Sequence, residues 1–123
     1  MMSTKLHGLI DYVAAAEFVA APRVLGWSPE LTQAMDGAAA LSMLYSLGTD
    51  YELGLVPALS MRQHLVIDAA LGLGFLAAAA LLRNEPASVR LPLAGFGLVA
   101  LTAAALTKAG PDDDDVVPDP GVP

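Results

Sequence analysis

"LGLGFLAAAALL", residues 71 to 82, contains no polar side chain at all. A helix on the surface of a water-soluble protein keeps a polar stripe, whereas one that is apolar all round is buried in a large core or in lipid. A spanning helix needs ~20 mostly apolar residues, in a range of about 17–25. Followed back to His64 the run reaches that length. Three further stretches come close: Leu6 to Leu25, Leu31 to Leu47, and Leu91 to Leu106. Short punctuated segments separate them: "GWSPE", "GTDYELGLVPALSMR" and "RNEPASVR". The second and fourth stretches are short, so each is expected to borrow a turn from its flanks. The pattern predicts an all-α integral membrane four-helix bundle over residues 1–110.

Composition agrees. Of the 123 residues, 55% are hydrophobic and 15% charged, with a mean hydropathy of +0.57. Ordinary soluble domains carry about 25% charged residues. The net charge of −7 mostly reflects an appendage, because "DDDD" at 112–115 and Asp119 fall in a proline-rich end. Residues 111–123 read as an acidic disordered tail. No basic patch exists to hold phosphates, which excludes a nucleic-acid partner. The absence of cysteine excludes disulfides and thiolate metal sites. A cleaved signal peptide is the rival reading of the first stretch, but His7, Asp11 and Glu17 interrupt its apolar region.

Just before that apolar run, "HLVID" at 64–68 repeats "HGLID" at 7–11, an offset of 57 residues. At the same offset Ser3 falls on Ser60, Phe18 on Phe75, Leu25 on Leu82, Pro29 on Pro86 and Leu44 on Leu101. The chain reads as two tandem helical hairpins, about 3–51 and about 60–108. Two spans per unit make both units start on the same side, as a parallel repeat about a pseudo-two-fold axis. Ser28-Pro29-Glu30 and the Ser60-x-x-Gln63 capping box mark helix starts. Ala34, Ala38, Ser42 and Ser46, and Ala70, Gly74 and Ala78, suggest close helix contacts. Trp27, Tyr12 and Tyr51 fall where interface anchors are expected. Lys5, Arg62 and Lys108 lie on one side and Arg23, Arg83 and Arg90 on the other, so the positive-inside rule gives no orientation.

That topology collects His7, Asp11, Thr49, Asp50, Tyr51, Glu52, Arg62, His64, Asp68, Thr107 and Lys108 at one face. Residues four apart share a side of a helix, so each His stacks over its Asp. An intramembrane Asp faces the bundle interior and pairs with something. Three readings follow. The His-Asp pairs lock helix packing in a non-enzymatic accessory or structural protein. Alternatively, His7, Asp11, His64 and Asp68 converge on a divalent metal, with Asp50, Tyr51, Glu52, Arg62 and Lys108 as supporting polar groups, or the two histidines hold a haem. In the third, Glu17 and Asp36 form a proton or ion path, with pairing of Glu17 to Arg23 as its structural counterpart. No nucleophile stands beside the histidines, which argues against an enzyme. Met35, Met43 and Met61 are expected as packing residues.

"APRVLGW", residues 21 to 27, resembles the end of the first helix in small bacterial membrane proteins of the SPW-repeat type. Those are built from two-helix units with a Ser-Pro-Trp signature, a hydrophobic pair and Gly-aromatic. Pro22, Leu25, Gly26 and Trp27 fit; Ala21 and Arg23 replace the Ser and Trp, and "AALLRNEP" lacks the signature. The resemblance covers the two-hairpin organisation of most of the chain. It implies a bacterial inner-membrane location and no particular activity. The expected partners are the lipid bilayer and, for the small-residue stripes, a second copy or another membrane protein.

Overall fold

The computed structural model describes residues 1–107, which form an all-α fold of four helices: α1 (Thr4–Val24), α2 (Pro29–Leu47), α3 (Met61–Leu81) and α4 (Ala87–Leu106). Lys108 and the acidic tail lie outside the described residues. Each expected stretch is a helix, and the flanks supply the missing turns of α2 and α4. Ser3, Ser28 and Ser60 cap their helices by accepting from the backbone N–H groups of Leu6, Leu31 and Gln63. The Gln63 side chain accepts in return from the Ser60 N–H, completing the capping box.

α3 and α4 are long and apolar enough to cross a membrane, with mean hydropathies of 1.9 and 1.8. α1 and α2 have similar lengths, 21 and 19 residues, but carry charge. Part of that charge is matched internally: Arg23 and Asp36 form a bidentate pair with both N···O distances at 2.8 Å. On all four helices large apolar side chains face outward. Leu9, Val13, Leu41, Leu44, Val66, Leu73, Leu91 and Leu98 are each more than half exposed.

The helices pair as α1 with α2 and α3 with α4, and the hairpins pack internally far more than against each other. Phe18 and Phe75, one from each hairpin, meet between the units with ring centroids 5.0 Å apart. Around them Trp27, Met35, Val89 and Leu93 build the apolar half of the core. Leu25 and Leu82 both terminate first helices, as the 57-residue repeat requires.

The second helices follow a different offset. Thr49 ends hairpin one as Thr107 ends hairpin two, and Met35, Ala39 and Tyr45 occupy buried positions equivalent to Leu93, Gly97 and Ala103, all 58 residues apart. The connections explain the extra residue. The α1–α2 turn closes on Gly26 at φ 69°, where the Trp27 N–H donates to the Pro22 carbonyl at 2.9 Å, a Schellman ending. The α3–α4 turn has no such glycine and is one residue longer. The matches of Pro29 to Pro86 and Leu44 to Leu101 therefore fall out of register.

Further expectations are corrected. The Ala70-Gly74-Ala78 stripe does not make the α3 contact, since a Cβ on Gly74 would meet nothing within 4 Å. The close approach is Gly72 against Gly97, where an added Cβ would stand 3.0 Å and 2.7 Å from the opposite carbonyl. On α2, Ser42 and Ser46 are buried as expected, but Ala34 is exposed. Trp27 is no exposed anchor: it is buried, and its indole N–H donates to the Ser88 carbonyl at 2.8 Å. Met35 and Met61 are core residues, whereas Met43 is exposed.

Candidate metal centre

His7 and His64 each occupy the fourth position of their helices, and α1 and α3 begin side by side. Both imidazoles are completely buried, with ring centroids 5.3 Å apart and nearly perpendicular planes. One turn deeper, Asp11 and Asp68 turn their carboxylates into the same space. The pairing is crossed. His7 Nε2 lies 2.6 Å from Asp68 Oδ2 on the other hairpin and 3.2 Å from Asp11 Oδ1 on its own helix. His64 Nε2 lies 3.0 Å from Asp11 Oδ2 and 3.3 Å from Asp68 Oδ2. The four residues offer ligand atoms all within 4.8 Å of one another.

The far side of each ring is fixed by a threonine at the end of a helix. His7 Nδ1 is 2.7 Å from Thr107 Oγ1 and His64 Nδ1 is 2.8 Å from Thr49 Oγ1. Each hydroxyl has one proton, and each also lies 2.5 Å from a carbonyl oxygen one turn earlier, Ala103 or Tyr45. A carbonyl can only accept, so the hydroxyl proton goes there and the threonine oxygen accepts from the ring. Nδ1 therefore carries the proton in both histidines, and both Nε2 atoms point at the carboxylates. For His64 that nitrogen makes no hydrogen bond although it is fully buried. The carboxylate oxygens are near enough, but off the direction of an N–H.

The carboxylates are held from behind. Tyr45 donates to Asp68 Oδ1 at 2.5 Å and Tyr51 to Asp11 Oδ2 at 2.9 Å. Burial, and then the neighbouring charge of Asp11, raise the Tyr51 hydroxyl above its ordinary pKa, so it remains a donor. The α2–α3 loop closes over this end: Tyr51 and Leu53 pack on Gly8, and Tyr12 donates to the Leu53 carbonyl at 2.7 Å. Short backbone bridges join the loop to the helix ends. Leu59 N–H donates to Gly48 O at 2.8 Å, and Met2 N–H to Leu106 O at 2.7 Å, so each hairpin finishes where the other starts.

Of the expected residues, the fold brings together His7, Asp11, His64 and Asp68, and adds Tyr51. Glu52 sits outside, accepting from the Thr4 hydroxyl at 2.7 Å; Asp50 and Arg62 are exposed, and Lys108 falls beyond the described residues. Glu17 is exposed on the outer face of α1, and Asp36 is engaged by Arg23. No hydrogen bond joins Glu17 to Asp11, Asp36 or Arg23. Tyr45 went unanticipated, though it lies four residues before Thr49 and so shares its side of α2.

No protein-family model matches the chain, and neither a curated protein nor a solved structure matches it significantly.

Proposed function

We propose that this is a small multi-pass membrane protein, non-enzymatic and bacterial inner-membrane in type, whose four helices enclose a divalent-metal centre formed by His7, Asp11, His64 and Asp68. The carrying observation is the His64 Nε2 atom, fully buried, turned to the carboxylates by the Thr49 contact and without a hydrogen bond. Once deprotonated, a nitrogen held in that position offers a metal ion the lone pair it requires. Bonds of about 2.0–2.1 Å in a tetrahedron imply ligand separations of roughly 3.3 Å. With Asp68 giving Oδ2 and Asp11 either oxygen, the N···O distances of 3.0 to 3.3 Å are near that value, and only the 2.6 Å contact of His7 with Asp68 would have to lengthen. Two neutral imidazoles and two carboxylates also balance a divalent charge, which matters where little water is present to solvate an excess. Threonine and tyrosine contacts behind the ligands are the outer support that metal-binding histidines and carboxylates generally have. Imidazole with carboxylate suits zinc, iron or manganese.

The arrangement does not suit a haem. Both Nε2 atoms converge on carboxylates, and rings 5.3 Å apart leave no slot for a porphyrin. The outward-facing leucines and valines on all four helices support four spans, as does the internal matching of the Arg23 and Asp36 charges. A second reading is favoured by the 2.6 Å contact of His7 with Asp68, which ties the two hairpins directly. In it, two imidazolium–aspartate pairs lock the bundle and no metal binds.

Elemental analysis of untagged protein in mild detergent separates the two. One zinc, iron or manganese per chain, lost from both His7→Ala and His64→Ala, is expected of the metal centre. A metal-free protein that also fails to take up zinc, iron(II) or manganese(II) would leave only the lock.

A further inference from the structure

Directly below the carboxylates, towards the middle of the bundle, lies a cavity of about 30 Å³ touched by all four helices. One water needs ~10–15 Å³ of such space, so a molecule of one or two heavy atoms fits. Asp11, Asp68, Tyr45 and Ser42 are among the residues that line it, but its wall is almost wholly apolar, with Ile10, Ala14, Phe18 and Val99 contributing. On the loop side the centre is shut by the histidine rings, their threonines and the packing of Tyr51 and Leu53 on Gly8. Towards the α1–α4 seam the barrier is thin. Ile10 and Val99 line the cavity and also line two grooves open on the outer surface. A helix-enclosed structural metal site has no need of space beside its ligands; an open coordination position does.

We infer that this cavity takes an exchangeable fifth ligand of the centre, beyond the four protein ligands: a neutral, weakly polar molecule of one or two heavy atoms binds there and arrives past Ile10 and Val99 from the outer face of the α1–α4 seam. The inference rests on the metal reading above. Neutrality follows from charge, because the two carboxylates already balance a divalent ion and an anion would stand uncompensated in an apolar pocket.

The test loads purified protein anaerobically with iron(II) and adds nitric oxide, a neutral diatomic that dissolves in membranes. Iron retained at one per chain addresses the metal reading by itself. Nitric oxide is then expected to give the EPR signal of a ferrous nitrosyl in the wild type. Ala14→Leu, which grows a side chain into the cavity, should keep its iron and bind nitric oxide roughly tenfold more weakly, through overpacking. Should the leucine prevent folding, Ala14→Val makes the same comparison with a smaller intrusion. Retained iron without a nitrosyl signal would overturn the open position and leave the metal centre standing. Equal nitric oxide affinity in wild type and a filled, iron-loaded variant would show that the ligand binds elsewhere. Failure to retain iron, zinc or manganese would overturn both.

Discussion

Thr107 and Thr49 each give their one hydroxyl proton to a carbonyl and so must take a proton from a histidine. That choice sets the tautomer of both rings, and the valine variants remove it while keeping shape. Thr49→Val and Thr107→Val leave a buried Nδ1–H without an acceptor and free the ring to rotate. Loss of such an outer contact typically lowers metal affinity about 10–100-fold. Competition against a chromophoric chelator should show that loss for either valine, and recovery with Thr49→Ser or Thr107→Ser. Unchanged affinity in the valine variants would mean the hydroxyls do not orient the ligands. Tyr45→Phe should lower thermal stability by about 1–3 kcal/mol, the scale for a charged hydrogen bond removed from a buried acceptor. The four His and Asp side chains were legible because four-residue spacing on a helix is a rigid statement and here it occurs twice. Tyr45 was not, because its counterpart at the 58-residue offset is Ala103, and a repeat conceals whatever only one half possesses.

At the level of elements, a stripe of small residues tells that a helix can be approached closely but not from which side. On α3 packing does not use the Ala70-Gly74-Ala78 stripe: Gly72, Phe75 and Ala79 are buried, and Gly74 is left outside. Gly97→Ala is therefore expected to destabilise, since its Cβ would press to 2.7 Å from the Gly72 carbonyl, which only a backbone shift relieves, and to 2.8 Å from Leu76 Cγ. Gly74→Ala should be neutral or stabilising by up to ~1 kcal/mol through helix propensity. Thermal unfolding in one detergent compares the pair, and equal shifts would contradict the crossing described. The α2–α3 loop has a similar tight point. A Cβ on Gly54 would collide with the Thr49 carbonyl, so Gly54→Ala should displace Thr49 and weaken metal binding as well as folding. Retained affinity in that variant would separate the loop from the centre. Helix starts were readable from Ser-Pro and Ser-x-x-Gln. The extra residue in the second turn was not, because an offset measured on the first helices says nothing about a later insertion.

For the whole molecule, the length of the apolar stretches carried the four helices, and the repeated His-Asp motif carried the placing of the starts of α1 and α3 at one end. Orientation stayed hidden for an electrostatic reason: the cations divide evenly between the two ends, so no loop is favoured inside. Sidedness itself is still fixed by the fold. The α2–α3 loop and the start of α1 lie at the end with the histidines, and the two short turns lie at the other. If all four helices span, Asp50 and Asn84, both exposed, face opposite compartments. The chain has no cysteine, so Asp50→Cys and Asn84→Cys each introduce a unique thiol. A membrane-impermeant maleimide added to sealed vesicles of one orientation should label one variant and spare the other, with both labelled after detergent. A bundle lying wholly in water would label both without detergent. If instead only α3 and α4 crossed, Asn84 would still oppose Asp50, but Thr32→Cys near the α1–α2 turn would label with Asp50→Cys rather than with Asn84→Cys. That third position distinguishes two spans from four. It also bears on the centre, because a bundle that leaves α1 and α2 in water cannot close His7 and Asp11 against His64 and Asp68 inside the bilayer.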